Sequence, residues 1–416
     1  MKLAWLCNMT PGAVSRCRGT GGGGLWLDHV LDDLCTRQDI SVRLFCPGGT
    51  EEGQVDGKTS YVLFTEGAPQ NYRQQLEDLF YEQLQQFQPD VIHIWGTEYG
   101  HTLAMVNAAQ RLGWENRVAI SIQGLCSSCA RHYCEGIPEA VCHRYSLRDF
   151  LKRDNLLGQQ KQFVRRGELE RQALEKVGHV IGRTDFDRAV TGQINPHRRY
   201  HFCNETLREG FYQDVWRYSG CKKHRIFLSS ALFPFKGTHY LLEAMPLVLA
   251  EFPDAEIAVT GDSFFKSTLP EKLRQDYYHR YLARLADKND LGDKIHFLGA
   301  LNEQQMKQAF LDCNVFVLPS TIENSPNSLG EAMLLGVPCV AADVGGVSNM
   351  LHPGQGYVYQ STAPYMLAHY IAEVFRQQER AEKMGAQARL QAMETHNPEK
   401  NMRDLLEIYR VIAEER

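Results

Sequence analysis

Along the chain, short runs of consecutive apolar residues alternate with longer stretches in which apolar positions recur every three to four residues. Runs of the first kind read as strands buried on both faces. The longer stretches read as helices covering them, and the alternation predicts parallel sheet wrapped by helix. In the first half, Leu3–Met9, Ser41–Phe45, Val91–Trp95, Val118–Ile122 and His179–Gly182 are the predicted strands. Leu25–Thr36 is a predicted helix with Trp26, Leu27, Val30, Leu31 and Leu34 on one face. The pattern then restarts with strands at Arg225–Ser230, Glu256–Thr260, Lys294–Leu298, Val315–Leu318 and Cys339–Ala342 and a helix at Thr238–Leu249. Two successive doubly wound units explain this better than one long sheet. The division falls near residue 205, giving domains 1–205 and 206–395, with the polar, irregular stretch Asn204–Lys223 as linker. Asn397-Pro398 reads as an N-cap followed by proline at the first helical position. It starts a final helix over 396–416, expected to pack back on the first domain.

Length agrees with two domains, since 416 residues exceed what one core usually organises. The apolar fraction of 43% and charged fraction of 23% are those of a globular protein, and a net charge of −5 argues against a dedicated nucleic-acid binder. No apolar run approaches the length of a membrane span. The start, Met1-Lys2-Leu3-Ala4-Trp5-Leu6-Cys7-Asn8, is too short an apolar stretch for a signal peptide. Twelve cysteines without a targeting signal then read as reduced thiols, so the expectation is a cytoplasmic enzyme or binding protein.

Gly19-Thr20-Gly21-Gly22-Gly23-Gly24 spells the glycine pattern of a dinucleotide site. The context does not match. Residues including Pro11 and Gly12 separate it from the first strand, and the second strand ends Leu44-Phe45-Cys46-Pro47 with no acid for a ribose. What remains is a loop whose backbone approaches a ligand closely and opens onto a helix N-terminus.

In the second half, a buried strand stops at Pro319 and leads through Thr321-Ile322-Glu323-Asn324-Ser325-Pro326-Asn327-Ser328-Leu329-Gly330 into a short helix, Glu331–Leu335. Gly336-Val337-Pro338 then returns the chain to a strand. Backbone amides at such a helix start cradle a diphosphate. Glu331, expected in the first turn, suits a vicinal diol such as a ribose, and Glu323 lies at the other lip. Two acids at this spacing alone prove little, and Glu331 also suits simple stabilisation of a helix start.

With Phe235-Lys236-Gly237, Val259-Thr260-Gly261-Asp262 and Phe297-Leu298-Gly299, this stretch makes the chain resemble the retaining glycosyltransferase family four. That resemblance implies a GT-B fold of two facing doubly wound domains and transfer from a nucleotide diphosphate sugar, without a metal or other cofactor. The acceptor it implies is a glycan or lipid-linked glycan. It assigns Lys236 to the donor phosphates, Glu331 to the ribose and Glu323 to the donor sugar. It makes Asn327, Ser328 and Leu329 loop contacts near the diphosphate and Gly261 and Asn324 further donor-binding residues, and Gly22 and Gly23 face the same site from across the cleft.

The chain also departs from its family. Many relatives carry arginine where this chain has Ala231, leaving Arg183, Arg208 and Arg18 as replacement cations. Gln123-Gly124 stands where a histidine is common, and an amide does not exchange a proton near neutral pH. His101, after the strand ending at Trp95, is the preferred catalytic histidine over His93, which lies within the strand. Trp95, Glu98, Gln123 and Arg183 are the acceptor-side candidates.

Three further patterns are weighed. Asp185-Phe186-Asp187 spells a metal-binding D-x-D, yet follows Thr184 as a helix start would. Cys126 and Cys129, with His132, Cys134, Cys142 and His143, have half of a zinc pattern. The basic run Leu151–Val177 suits either a peripheral contact with an anionic membrane or a solvated face balanced by Glu168, Glu170 and Glu175. Competing functions are a nucleotide-sugar 2-epimerase and a non-catalytic nucleotide- or glycan-binding protein.

Overall fold

In a computed structural model, described for residues 1–20 and 26–415, the chain divides into two compact units. The first comprises Met1–Ser128, Gln162–Arg208 and His396–Arg416, and the second Cys129–Lys161 and Glu209–Thr395. This differs from a single cut near 205, because residues 129–161 pack with the second unit. There the Tyr277 amide donates to Asp149 Oδ2 (2.9 Å), the Thr321 hydroxyl donates to His132 O (2.9 Å), and His239 Nε2 meets Glu135 O (3.0 Å).

The first unit's strands are β1 (Lys2–Leu6), β2 (Ser41–Pro47), β3 (Glu52–Gln54), β4 (Thr59–Phe64), β5 (Val91–Trp95), β6 (Val118–Ser121), β7 (His179–Gly182) and β8 (Arg199–Phe202). Among the described residues they form one sheet in the order β3-β4-β2-β1-β5-β6-β7-β8, parallel throughout except for β3 on β4. Both sheet faces are covered, which is why the central strands are apolar without alternation. Leu3 and Trp5 of β1 enter one core cluster, and Ala4 and Leu6 the other. Beyond the predicted strands, β3 and β8 lie at the two edges and carry polar or charged residues, Glu-Gly-Gln and Arg-Tyr-His-Phe. β4 is an apolar run outside the predicted set.

The last helix, Pro398–Glu414, is capped by Asn397, whose side chain accepts from the Lys400 amide (2.9 Å). Its apolar face, including Leu405, Tyr409 and Ile412, joins the first unit's core. The Tyr409 hydroxyl accepts from the Trp5 indole (3.1 Å) and meets His93 Nδ1 (2.6 Å).

In the second unit, β9 (Arg225–Leu228), β10 (Glu256–Val259), β11 (Ile295–Phe297), β12 (Val315–Leu318), β13 (Cys339–Ala342) and β14 (Tyr357–Tyr359) form a parallel sheet in the order β11-β10-β9-β12-β13-β14. The stretch expected to be a linker is partly structural. Phe211 and Trp216 are buried, and Trp216 donates from its amide to Leu335 O and from its indole to Cys313 O, both at 2.7 Å.

Strand order reverses between β1 and β5 in the first sheet and between β9 and β12 in the second. Outside the carboxyl ends of the strands at such a reversal, the following loops diverge to opposite faces and leave a crevice that binds ligands. Asn8 and Glu98 follow the first pair of strands; Lys236 and Glu323 follow the second.

Candidate functional site

At the β9/β12 crevice, β9 runs through Ser230 and Ala231 to a single tight turn, Pro234–Lys236, and then Gly237. Gly237 has φ 70°, and a Cβ there would lie 1.8 Å from Pro319 O. Only glycine lets the loop after β9 close on the end of β12. That closure sets Lys236 Nζ 2.6 Å from Glu323 Oε1, which also accepts from the Ser320 hydroxyl (2.7 Å). The Glu323 carbonyl is fixed too, accepting from the Gly346 amide (3.1 Å), while a Cβ on Gly345 would stand 1.8 Å from it. Residues 129–161 brace the same loop through the Thr321–His132 bond.

The following helix spans Asn327–Leu335, starting four residues earlier than expected, after Pro326 and without a side-chain cap. Leu329 and Gly330 amides turn back to Pro326 O at 3.0 and 3.2 Å. The Asn327 and Ser328 amides precede any intrahelical acceptor, so this start presents donors and the positive end of the helix dipole. Glu331 therefore sits in the second turn, not the first, and no acid occupies the first turn. A buried Glu331, 5% exposed, is not accounted for by helix-start stabilisation. Gly261, two residues past β10, has φ 97°, and its amide bonds Gly299 O (2.9 Å), two residues past β11. Over these strand ends lies a cavity of about 530 Å³ whose walls include Ala231, Gly261, Lys266, Arg274 and Gly299. Asn324 is buried beside Glu323 in sequence.

At the β1/β5 crevice, Glu98 Oε2 accepts from Asn8 Nδ2 (3.0 Å) and Oε1 from the Gly124 amide (3.1 Å). Gly96, at φ 104°, makes room for it, since a Cβ there would lie 2.2 Å from Glu98 Oε2. Burial pushes the Glu98 carboxyl up to about 7, and Glu170 adds repulsion. His101 turns inward. Its Nε2 meets Asn8 Oδ1 (2.9 Å), its ring stacks on Tyr99 at 5.0 Å, and burial lowers it to about 3. It is a neutral, buried ring at physiological pH, which argues against a proton-exchanging role and for holding Asn8. His93 is wholly buried between Tyr409 and Ser121 Oγ (2.7 Å).

Trp95 is buried edge-on to Trp5, with ring centroids 5.1 Å apart. Arg183 forms an ion pair with Glu205 and donates to Ile122 O (2.9 Å), and Gln123 also donates to Glu205. Arg18 pairs with Glu51 at 2.5 Å. Arg208 is the last residue of the first unit's second segment. Gly22 and Gly23 lie outside the described residues.

The D-x-D spelling is a helix start. Thr184 caps Asp185–Ile194 by accepting from the Asp187 amide, and the buried Asp187 accepts from the Arg183 amide (3.0 Å) and Tyr200 hydroxyl (2.6 Å). Cys126, Cys129, Cys134 and Cys142 are not joined in disulfides, and among the described residues no cluster of three or more His, Cys, Asp or Glu is arranged to hold a metal ion. The basic run is two helices, Leu147–Lys152 and Leu156–Leu174, broken at Arg153 with φ 54°. Arg171 pairs with Glu168 (2.7 Å) and Glu175, and Arg166 donates to Glu98 O (2.7 Å). Among the described residues no helix is long and apolar enough to cross a membrane.

Residues 219–391, which hold Lys236, Glu323 and Glu331, match the family model described as glycosyl transferases group 1. This stretch is a glycosyl transferases group 1 module. It is the family implied by the Lys236 and Glu323–Glu331 motifs. The chain is also similar to a GDP-mannose-dependent monoacylated alpha-(1-6)-phosphatidylinositol monomannoside mannosyltransferase of Corynebacterium glutamicum. That protein is 30% identical over 171 residues, 39% of this chain and 41% of its own length. A Schizosaccharomyces pombe phosphatidylinositol N-acetylglucosaminyltransferase gpi3 subunit is 26% identical over 179 residues, 42% of this chain and 35% of that one. The chain thus spans about two fifths of the length of the curated relatives it matches. The likeness in fold is wider. A sucrose-phosphate synthase from Thermosynechococcus elongatus superposes with a TM-score of 0.70 over 100% of both chains at 15% identity. Anabaena HepE in complex with UDP-glucose gives 0.67 over 99% of this chain and 100% of that one at 16% identity. The fold is GT-B, built of two Rossmann-like units.

Proposed function

We propose that the protein is a glycosyltransferase that moves a sugar from a nucleotide diphosphate sugar to a glycan or lipid-linked acceptor, with retention and without a metal. The observation that carries this reading is the Lys236–Glu323 pair, 2.6 Å apart at the strand-order reversal beside an uncapped helix start. Breaking the sugar–phosphate bond leaves negative charge on the departing diphosphate. A fixed ammonium and preorganised amides offset that charge as it develops. Lys236 and the Asn327, Ser328 and Leu329 stretch take this role, with Gly261 and Asn324 shaping the pocket. Glu323 holds the donor sugar, and the buried Glu331 takes the ribose hydroxyls. On the acceptor side, Glu98 and Asn8 present hydrogen-bonding groups at the other crevice, with Trp95, Gln123 and Arg183 behind them. His101 is a positioning residue in this scheme. The GDP-mannose and UDP-glucose named for the similar proteins support a nucleotide-sugar donor in general and leave the base open.

The test is incubation with UDP-, GDP- and ADP-sugars, following nucleotide release and the anomeric configuration of the product. Release that requires an added glycan acceptor, with retained configuration in the presence of a chelator, is the expected outcome. An isomerised donor, or no turnover of any donor, contradicts the reading.

A further inference from the structure

The charges around the β9/β12 crevice do not balance for a diphosphate ligand. Lys236 is neutralised by Glu323 at 2.6 Å. A nucleotide diphosphate sugar carries two further negative charges. An anion is not desolvated in such a site without a compensating cation.

The wall of the 530 Å³ cavity over β9, β10 and β11 supplies two cations, Lys266 and Arg274. Among the described residues, no ion pair or hydrogen bond engages the Lys266 ammonium or the Arg274 guanidinium. The Glu271 carboxyl is lowered chiefly by hydrogen bonds from Thr268, with a smaller contribution from Lys266. The cavity's own acids do not cancel both cations. Asp276 is engaged by His279, through Nδ1 at 2.6 Å and the backbone amide at 3.0 Å, leaving Asp262.

Both cations belong to the long connection from β10 to the helix Tyr277–Lys288. That connection is pinned where it matters. Phe264 is buried against Phe297 with ring centroids 4.8 Å apart, and Gln275 Nε2 donates to Phe264 O (2.7 Å), closing the loop on itself. The lysine and arginine lie between those two anchors, over a cavity that also includes Ala231, on the loop that leads to Lys236. Two of the other cations considered for this role are already used, Arg183 by Glu205 and Arg18 by Glu51.

We propose that Lys266 and Arg274 form a second phosphate clamp, gripping the nucleotide's diphosphate from the β10 loop and balancing the charge that Lys236 alone leaves over. This rests on the nucleotide-sugar reading and specifies how this chain meets it: through the connection after β10, where Arg274 ends the short helix Leu269–Arg274, in place of a side chain at position 231.

The experiment is calorimetric titration of the protein with UDP, GDP and ADP, and with uridine, guanosine and adenosine. For whichever diphosphate the wild type binds, the double variant Lys266→Ala/Arg274→Ala should weaken binding by about tenfold or more. The matching nucleoside should bind within about twofold of the wild type, since it lacks the phosphates, and the salt dependence of diphosphate binding should flatten. Adding Ala231→Arg to the double variant should recover most of the lost affinity. Unchanged diphosphate affinity in the double variant overturns the clamp alone, as does an equal loss for nucleoside and diphosphate. A wild type that binds none of the three diphosphates overturns the clamp together with the nucleotide-sugar reading.

Discussion

Glu98 carries its carboxyl in a partly exposed loop at the β1/β5 crevice, with Asn8 and Gly124 donating to it and burial opposing its charge. The charges acting on it are Glu170 and Arg166 from the helix Leu156–Leu174, while the neutral His101 holds the Asn8 that donates to it. Its folded value of about 7 stands above the ordinary 4.5. Below about 4.5 the group is protonated in folded and unfolded chains alike and makes no difference. Between 4.5 and about 7 the unfolded chain loses this proton first, so stability falls as pH rises. Glu98→Gln removes the titration. The stability of the wild type minus that of the variant should therefore drop by about 3 kcal/mol across that window in urea melts at successive pH values. A pH-independent difference contradicts the buried-carboxyl account. His101 is the histidine preferred from sequence because it follows a strand end, where ligand groups gather, whereas His93 lies within the strand. Local patterning does not report that the ring is turned inward onto Asn8, where burial holds it neutral. Glu331 is similar: its place on the helix that follows the β12 loop was legible, but its turn was not, because the helix starts four residues earlier, after Pro326.

Among elements, the strand–loop–helix from Val315 to Leu335 was readable because each part has a local signature: an apolar run, a proline stop, a small polar loop and an apolar helix ended by glycine. The loop's exact path depends on distant glycines. Gly345 has φ 52° and would push a Cβ to within 1.8 Å of Glu323 O. Gly345→Ala should both strain the backbone, by about 1–2 kcal/mol, and displace Glu323, so turnover falls well beyond what the loss of stability explains. Gly354→Ala is the control. It has φ 88° and the same backbone strain, but its nearest neighbour is Gln387 Oε1 at 3.3 Å, away from the Glu323 loop. Melting temperature and turnover should separate the two variants, and equal losses of turnover would contradict the steric argument.

For the molecule as a whole, the repeat of the strand–helix pattern disclosed two doubly wound units, and Asn397-Pro398 disclosed the last helix. The edge strands β3 and β8 were hidden by their polar residues. The membership of residues 129–161 was hidden because the bonds from Asp149, Glu135 and His132 span more than a hundred positions, and local patterning carries no such information. The last helix is bound into the first unit through Tyr409. Tyr409→Phe leaves the Trp5 indole N–H and a His93 ring nitrogen without that partner, and should cost about 1–3 kcal/mol in urea unfolding. No loss would show that this network does not secure the helix. Lys236, paired with Glu323 at the β9/β12 crevice, is the group on which donor-phosphate stabilisation depends. The most direct test is the turnover of Lys236→Ala with the nucleotide sugar that the wild type consumes. Loss of stabilisation for the departing diphosphate predicts a fall of about a hundredfold or more with the fold retained. Turnover close to that of the wild type would remove Lys236 from the site and contradict the reading built on it.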